Sequence, residues 1–289
     1  MKAIIFGANG QDGYYLSEVL AANNIEVIPV SRNGDMIRAD VADFASVHGL
    51  IKHHKPAFIF HLAASSTTRH EALFANHATI STGALNIFES VKILSLDSKI
   101  FISGSGLQFR NDGNPIHESD PFQARDAYSI SRIQSVYAAR YFRNIGLKIY
   151  VGYLFNHESP RRTEQHISRM IADKVKAISR EVDITLTVGD LSVVKEWGYA
   201  GDIVKAIWTL VNQDEINESV LGTGRGYSIQ EYIEKCFAFV GKDWRPYVKE
   251  KQGFRSEYRS LISQPTTILT LGWKPETDLG QLVEKMLTE

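Results

Sequence analysis

The stretch AIIFGANGQDG, residues 3–13, runs an apolar strand-like segment straight into three glycines, Gly7, Gly10 and Gly13, ahead of a helical pattern. In a strand–turn–helix of this kind the first glycine permits a tight turn. The second lets backbone approach a pyrophosphate, and the helix N-terminus offers free N–H groups and a partial positive charge. A glycine triplet alone says little, because any tight strand–helix turn can use one. The strand before it and the helix after it supply the context that makes it a dinucleotide loop. Gly7, Asn9, Gly10, Gln11, Asp12 and Gly13 are therefore candidate cofactor contacts.

Outward from this loop, short apolar runs alternate with helical spacing. Glu26–Val30, Ala57–Leu62, Lys99–Ser103 and Lys148–Leu154 read as further buried strands, while Gly83–Leu94 and Ala127–Ile145 read as helices. Strand–helix–strand repetition implies α/β architecture: a Rossmann-type, doubly wound parallel sheet covered on both faces. The alternation weakens after about residue 156. Helical patterns follow at Gln165–Glu181 and Asp202–Asn212, with a possible strand at Ile184–Val188. The remainder, 222–289, is more polar and reads as irregular. The expected organisation is a cofactor domain over 1–155, rejoined by 190–215, and a smaller C-terminal α/β substrate lobe from 156–189 and 216–289.

Composition narrows the class. Thirty-two basic against 33 acidic residues leave a formal charge of −1, so no overall field points to nucleic acid or an anionic membrane. No apolar run is long enough to span a bilayer. The one cysteine, Cys236, excludes an internal disulfide and reads as core; with no leader-like segment, a cytoplasmic location is expected. Nine histidines show no metal-ligand spacing, so no metal is expected.

The end of the second strand distinguishes the two nicotinamide cofactors. An acidic residue there would bind the ribose 2′-hydroxyl and repel a 2′-phosphate. This chain has Ser31-Arg32, a hydroxyl and a cation, which favours NADP over NAD. Downstream, Asp40 and Val41 are expected near the adenine, and Leu62, Ala63 and Ala64 as a wall beside the cofactor.

Ser105 closes the fifth strand, and Tyr128 and Arg132 stand four positions apart on a helix, on one face. With the GxxGxxG spacing, these residues resemble an extended short-chain dehydrogenase/reductase. In that family a Ser or Thr holds the substrate oxygen, a Tyr gives or takes the proton, and a Lys one turn on binds the nicotinamide ribose and lowers the Tyr pKa. Arg132 replaces that Lys. It keeps the charge but not the compact ammonium, and it cannot relay a proton. The resemblance makes Ser105, Tyr128 and Arg132 the catalytic candidates, the last two also touching cofactor.

The stretch LFNHESPRR, Leu154–Arg162, is similar almost letter for letter to a segment of GDP-mannose 4,6-dehydratases. GDLSVVKEWGYAGDIV (189–204), GTGRGYSIQEYIE (222–234) and LGWKPE (271–276) match that family in order. The resemblance implies cofactor contacts at Leu154, His157, Arg162 and Phe74. It implies contacts to a GDP-sugar at Asn156, Lys195 and Arg255, where Lys and Arg suit a diphosphate. It also carries departures. The dehydratases have Thr, Ser and Glu on strand five, the Glu being acid/base for water loss across C5 and C6. Here the aligned residues are Ser105, Gly106 and Leu107, and leucine carries no proton. Glu118 and Asp120 lie nearby in sequence, within a loop that resembles the one ahead of the family's Tyr.

An NADP-dependent oxidoreductase acting at C4 of a GDP-sugar is therefore expected, as a 4-keto reductase or 4-dehydrogenase in cell-surface polysaccharide precursor synthesis. A 4,6-dehydratase or epimerase is the first alternative, and a catalytically silent nucleotide-sugar and NADP-binding homologue the second. The loop after strand two is too short for the family's tetramer contact, so a homodimer is expected.

Overall fold

The computed structural model describes residues 1–289. Its first part runs β1 (Lys2–Phe6), α1 (Gln11–Ala22), β2 (Glu26–Ser31), β3 (Ile37–Arg38), α2 (Phe44–His54) and β4 (Phe58–His61). Then come α3 (Leu73–Asn76), a π-helical turn (His77–Thr82), α4 (Gly83–Ile93), β5 (Lys99–Ser105), α5 (Ala127–Asn144) and β6 (Lys148–Leu154). Next are β7 (His157–Glu158), α6 (Ile167–Ser179), β8 (Leu186–Val188), β9 (Val194–Glu196), β10 (Gly198–Tyr199), α7 (Ala200–Val211) and β11 (Glu218–Leu221). The chain closes with β12 (Gly226–Ser228), α8 (Ile229–Phe239), β13 (Val248–Glu250), β14 (Ser260–Leu261), α9 (Thr266–Thr270) and α10 (Leu279–Thr288).

Seven strands form one parallel sheet in the order β11-β6-β5-β4-β1-β2-β3. The apolar runs are continuous because both faces are covered. Val47, Ile51, Ile87, Phe88, Val136 and Phe142 from α2, α4 and α5 pack on one face. Leu16, Leu20, Ile203, Ile207 and Leu210 from α1 and α7 pack on the other. Each such side chain contributes about 1.5–3 kcal/mol on burial. The strand order reverses between β1 and β4, and a crevice opens beyond the strand C-termini at that point.

Beyond 156 the structure is more regular than the sequence pattern suggests. Helices α6, α8 and α10 share a third core with Ile171, Val175, Phe237, Leu282 and Met286. Both α8 and α10 open with capping boxes, Ser228 with Glu231 and Asp278 with Gln281, signals that the strings SIQE and DLGQ carry openly. Residues 218–221, assigned from sequence to the smaller lobe, instead form the edge strand β11 of the main sheet. Glu218 fixes that edge: it accepts from Arg140 at 2.7 Å and Tyr153 at 2.5 Å, and also pairs with Arg143. Burial pushes its carboxyl up, but these donors more than offset this and hold it at about 2. No helix is long and apolar enough to cross a membrane.

Candidate active site

The glycine loop is shaped by close contacts. Gly7 has φ of +88°, and a Cβ there would lie 2.7 Å from the Ala63 backbone nitrogen. A Cβ on Gly13 would meet Ala8 Cα and Gly7 O at 2.6 Å, so this glycine serves the packing of α1 against β1. Gly10 caps α1 without a side-chain hydrogen bond, which leaves first-turn N–H groups for an anion. A cavity of about 170 Å³ runs from Gly7, Asn9 and Gly10 past Ser31 and Arg32 to Val41 and to Leu62, Ala63 and Ala64. Thr79 also lines it, carried there by the π-helical turn, and no sequence motif marked it. These residues fit a dinucleotide bound across the crevice.

Of the expected cofactor residues, Gln11, Gly13, Asp40 and Phe74 line neither this cavity nor the one described next, although Asp40 lies between the lining residues Ala39 and Val41. Asp40 is exposed and its carboxylate accepts from the Ala42 N–H at 2.9 Å, outside the cavity lining. Phe74 is 85% exposed; the buried residue of α3 is Asn76, whose amide donates to Thr67 O at 2.9 Å. A π-helical turn follows α3 and breaks the 3.6-residue register between Phe74 and Gly83.

A second cavity, about 260 Å³, lies over the C-terminal ends of β4, β5 and β6. It is lined by the expected catalytic residues Ser105, Tyr128 and Arg132, by Leu154, Asn156, His157, Arg162 and Lys195, and by Asp12 from the first turn of α1. Ser105 Oγ accepts from the Leu107 N–H at 3.2 Å, and Gln108 Oε1 accepts from the Ser105 N–H at 2.9 Å, which fixes the strand end. Arg132 is buried, with its guanidinium carbon 5.0 Å from the Tyr128 ring centroid, in cation–π range. It also donates to Ser103, to both the carbonyl and Oγ, on β5. Its Nε and the Oδ1 of Asn156 are buried without a partner. Buried polar atoms are seldom left unpaired, and both residues line the cavity, so a ligand's hydroxyl groups would complete them. Beneath, His61 is held neutral: burial, with Arg132 adding to it, lowers its pKa to about 4.

The wall opposite Tyr128 is an ionic chain. Gln11 joins it to the glycine loop by accepting from Ser159 Oγ at 2.7 Å. His157 donates from Nε2 to Asp12 at 2.8 Å and from Nδ1 to Phe155 O at 2.7 Å, so both ring nitrogens face acceptors. Burial opposes its charge, but Asp12 outweighs this and raises its pKa. Asp12 is likewise pushed up by burial and brought well below the carboxylate range by His157 and Arg162. Arg162 donates to His157 O at 2.7 Å and to Glu158 at 3.2 Å, and Lys195 meets Glu158 at 3.4 Å. Glu158 escaped the sequence reading, although it sits inside the HESPRR string, because its neighbours carry the charges a phosphate needs.

Leu107 lines the same cavity. The two acids lining this cavity, Asp12 and Glu158, are both tied to cations. Glu118 and Asp120 are used elsewhere: Glu118 accepts from the Val220 N–H at 3.1 Å and from Thr267, and Asp120 from the His117 N–H at 2.9 Å. Beside it, sharing Lys195 and Tyr258, is a chamber of about 330 Å³ also lined by Phe254, Arg255 and Glu257, the expected diphosphate end.

The GDP-mannose 4,6 dehydratase family model matches residues 29–286. The chain belongs to that family. It is 30% identical to GDP-mannose 4,6 dehydratase 2 of Arabidopsis thaliana, over 99% of this chain and 86% of the relative. To the Vibrio cholerae GDP-mannose 4,6-dehydratase it is 27% identical, over 99% and 92%. Among solved structures, the Thermus thermophilus UDP-glucose 4-epimerase complex with NAD superposes with a TM-score of 0.86 at 20% identity, covering 100% of this chain and 99% of that one. RMD from Pseudomonas aeruginosa complexed with NADPH gives 0.86 at 20%, covering 99% and 96%. As a member of the family, this chain is an enzyme of the extended short-chain dehydrogenase/reductase type.

Proposed function

We propose that this family member is an NADP-dependent oxidoreductase acting at C4 of a GDP-linked sugar, as a 4-keto reductase or 4-dehydrogenase. One observation carries the reading: Ser105, Tyr128 and Arg132 share a cavity with Leu107, and neither carboxylate in that cavity is free to serve as acid or base. NADP would lie along Gly7–Gly13, with Ser31 and Arg32 at its 2′-phosphate and His157 and Arg162 near its far end; when bound it supplies the hydride exchange. Tyr128 moves the proton at the C4 oxygen, and Ser105 holds that oxygen. Arg132 supplies positive charge against the Tyr128 ring. Asn156, Lys195 and Arg255 bind the sugar and diphosphate.

In this reading residues 1–155 with 190–215 form the cofactor part and most of the rest the sugar-nucleotide part, and the reaction belongs to cytoplasmic synthesis of cell-surface polysaccharide precursors. A homodimer is supported by an apolar stripe on two adjacent helices, Leu85 and Ile93 of α4 and Tyr137 and Tyr141 of α5, all 43–59% exposed.

A 4,6-dehydratase is the second reading, favoured by the family match itself. Mass spectrometry of products separates the two. GDP-mannose with NADP tests for loss of water, and the 4-keto-6-deoxy derivative with NADPH tests for gain of two hydrogens. Hydrogen gain by the keto sugar with no water loss from GDP-mannose is the expected result. Water loss would restore the dehydratase.

A further inference from the structure

Glu158 is the least exposed carboxylate of the cavity, with 3% of its side chain accessible, and it belongs to neither ligand's expected contact set. Its two oxygens divide three partners. Oε2 accepts from Arg162 Nε at 3.2 Å and Ser168 Oγ at 2.6 Å; Oε1 faces Lys195 Nζ at 3.4 Å. The strand pairing of β7 with β10 fixes its backbone, and Trp197, between β9 and β10, carries Lys195 Nζ 4.2 Å over its ring. One buried anion thus stands between two cations that line the reacting cavity, of which Lys195 also lines the diphosphate chamber.

We infer that Glu158 is a positioning residue, which holds Arg162 and Lys195 in place and keeps Lys195 charged for an anionic sugar nucleotide. The inference rests on the assignment of Lys195 to the substrate diphosphate. A buried ammonium without a counter-ion gives up its proton. Lys195 is already depressed by burial, with Glu158 opposing that depression. The other titratable or charged groups around Lys195 are Arg162 and His166 on the loop before α6, Arg255, Glu257 and Tyr258 on the loop before β14, and Asp190 at the chamber rim. None of them lies within ion-pair distance of Lys195, so none can replace Glu158.

The test is titration calorimetry of GDP-mannose into the full-length protein from about pH 6.5 to about 8.5, where its diphosphate diester does not titrate and a perturbed lysine can. The wild type should bind with nearly constant affinity. Glu158→Gln should lose at least about tenfold in affinity between the low and high ends of the range, since one pKa unit of lost protonation is a factor of ten. Adding Lys195→Arg to that variant should flatten the profile, because guanidinium stays charged. Ser168→Ala, which removes one hydrogen bond to the carboxylate, should weaken binding in the same direction by less, and it serves if Glu158→Gln does not fold. A flat Glu158→Gln profile, or one that Lys195→Arg leaves sloping, overturns the inference while the proposed function stands. Failure of the wild type to bind GDP-mannose overturns the inference, while the proposed function is decided separately by hydrogen gain in the keto sugar.

Discussion

The glycine loop and the reacting end of the same crevice are built on different principles. In the loop, backbone does the work: Gly7 and Gly13 are there because a Cβ would strike Ala63, Ala8 or Gly7 O. At the reacting end side chains do the work, with Ser105, Leu107, Tyr128 and Arg132 lining one cavity. Backbone that close leaves no room for a side chain, so a substitution in the loop costs stability. A side chain can be exchanged for another that alters the chemistry and leaves the sheet untouched.

That contrast can be broken most sharply at Tyr128. Tyr128→Phe should lower turnover by about 10²–10⁴-fold or more while NADPH affinity, followed by fluorescence, is retained; undiminished turnover would remove Tyr128 from the chemistry. Gly13→Ala should do the reverse, costing about 1–3 kcal/mol of stability in a denaturant melt because the new methyl meets backbone that cannot yield. Stability equal to wild type would mean that α1 moves freely against β1. Arg32→Ala should change neither turnover with saturating cofactor nor stability, yet reduce the preference for NADPH over NADH roughly tenfold, the worth of one exposed charge-assisted contact. An unchanged preference would give the 2′-phosphate to another group.

A further test concerns acid. Glu158 and Glu218 are both brought from 4.5 to about 2 by their cationic partners, against the pull of burial. A carboxyl depressed in the folded state binds fewer protons there than in the unfolded chain, so its stabilisation is complete above 4.5 and is lost as pH falls toward 2. Melting temperature should hold down to about pH 4.5 and then decline, and Glu218→Gln should flatten that decline. A decline of unchanged steepness in this variant would show that the Arg140–Arg143 cluster contributes nothing to acid stability.

Much of this was legible in the sequence for a physical reason. Strands buried on both faces leave unbroken apolar runs, and the glycine loop writes its geometry into residue type. LFNHESPRR likewise gave His157 and Arg162 directly. Phe74 came from the family resemblance alone, and its side chain is exposed and lines neither cavity. Glu158 was passed over because its value lies in its partners, Lys195 being thirty-seven residues away. The polar look of 222–289 hid three helices of which α8 and α10 bury a single narrow stripe each.

The edge strand β11 has a consequence for how the protein is made. Residues 218–221 leave the ribosome after the whole of α6 and α7, yet they pair with β6 and bring the acid that satisfies Arg140, Arg143 and Tyr153. Until they emerge, β6 is an open edge with unpaired backbone groups, which is the kind of surface on which nascent chains aggregate. The sheet is therefore sealed late in translation, and a chain stopped before Glu218 should be insoluble even though six of its seven strands have been synthesised.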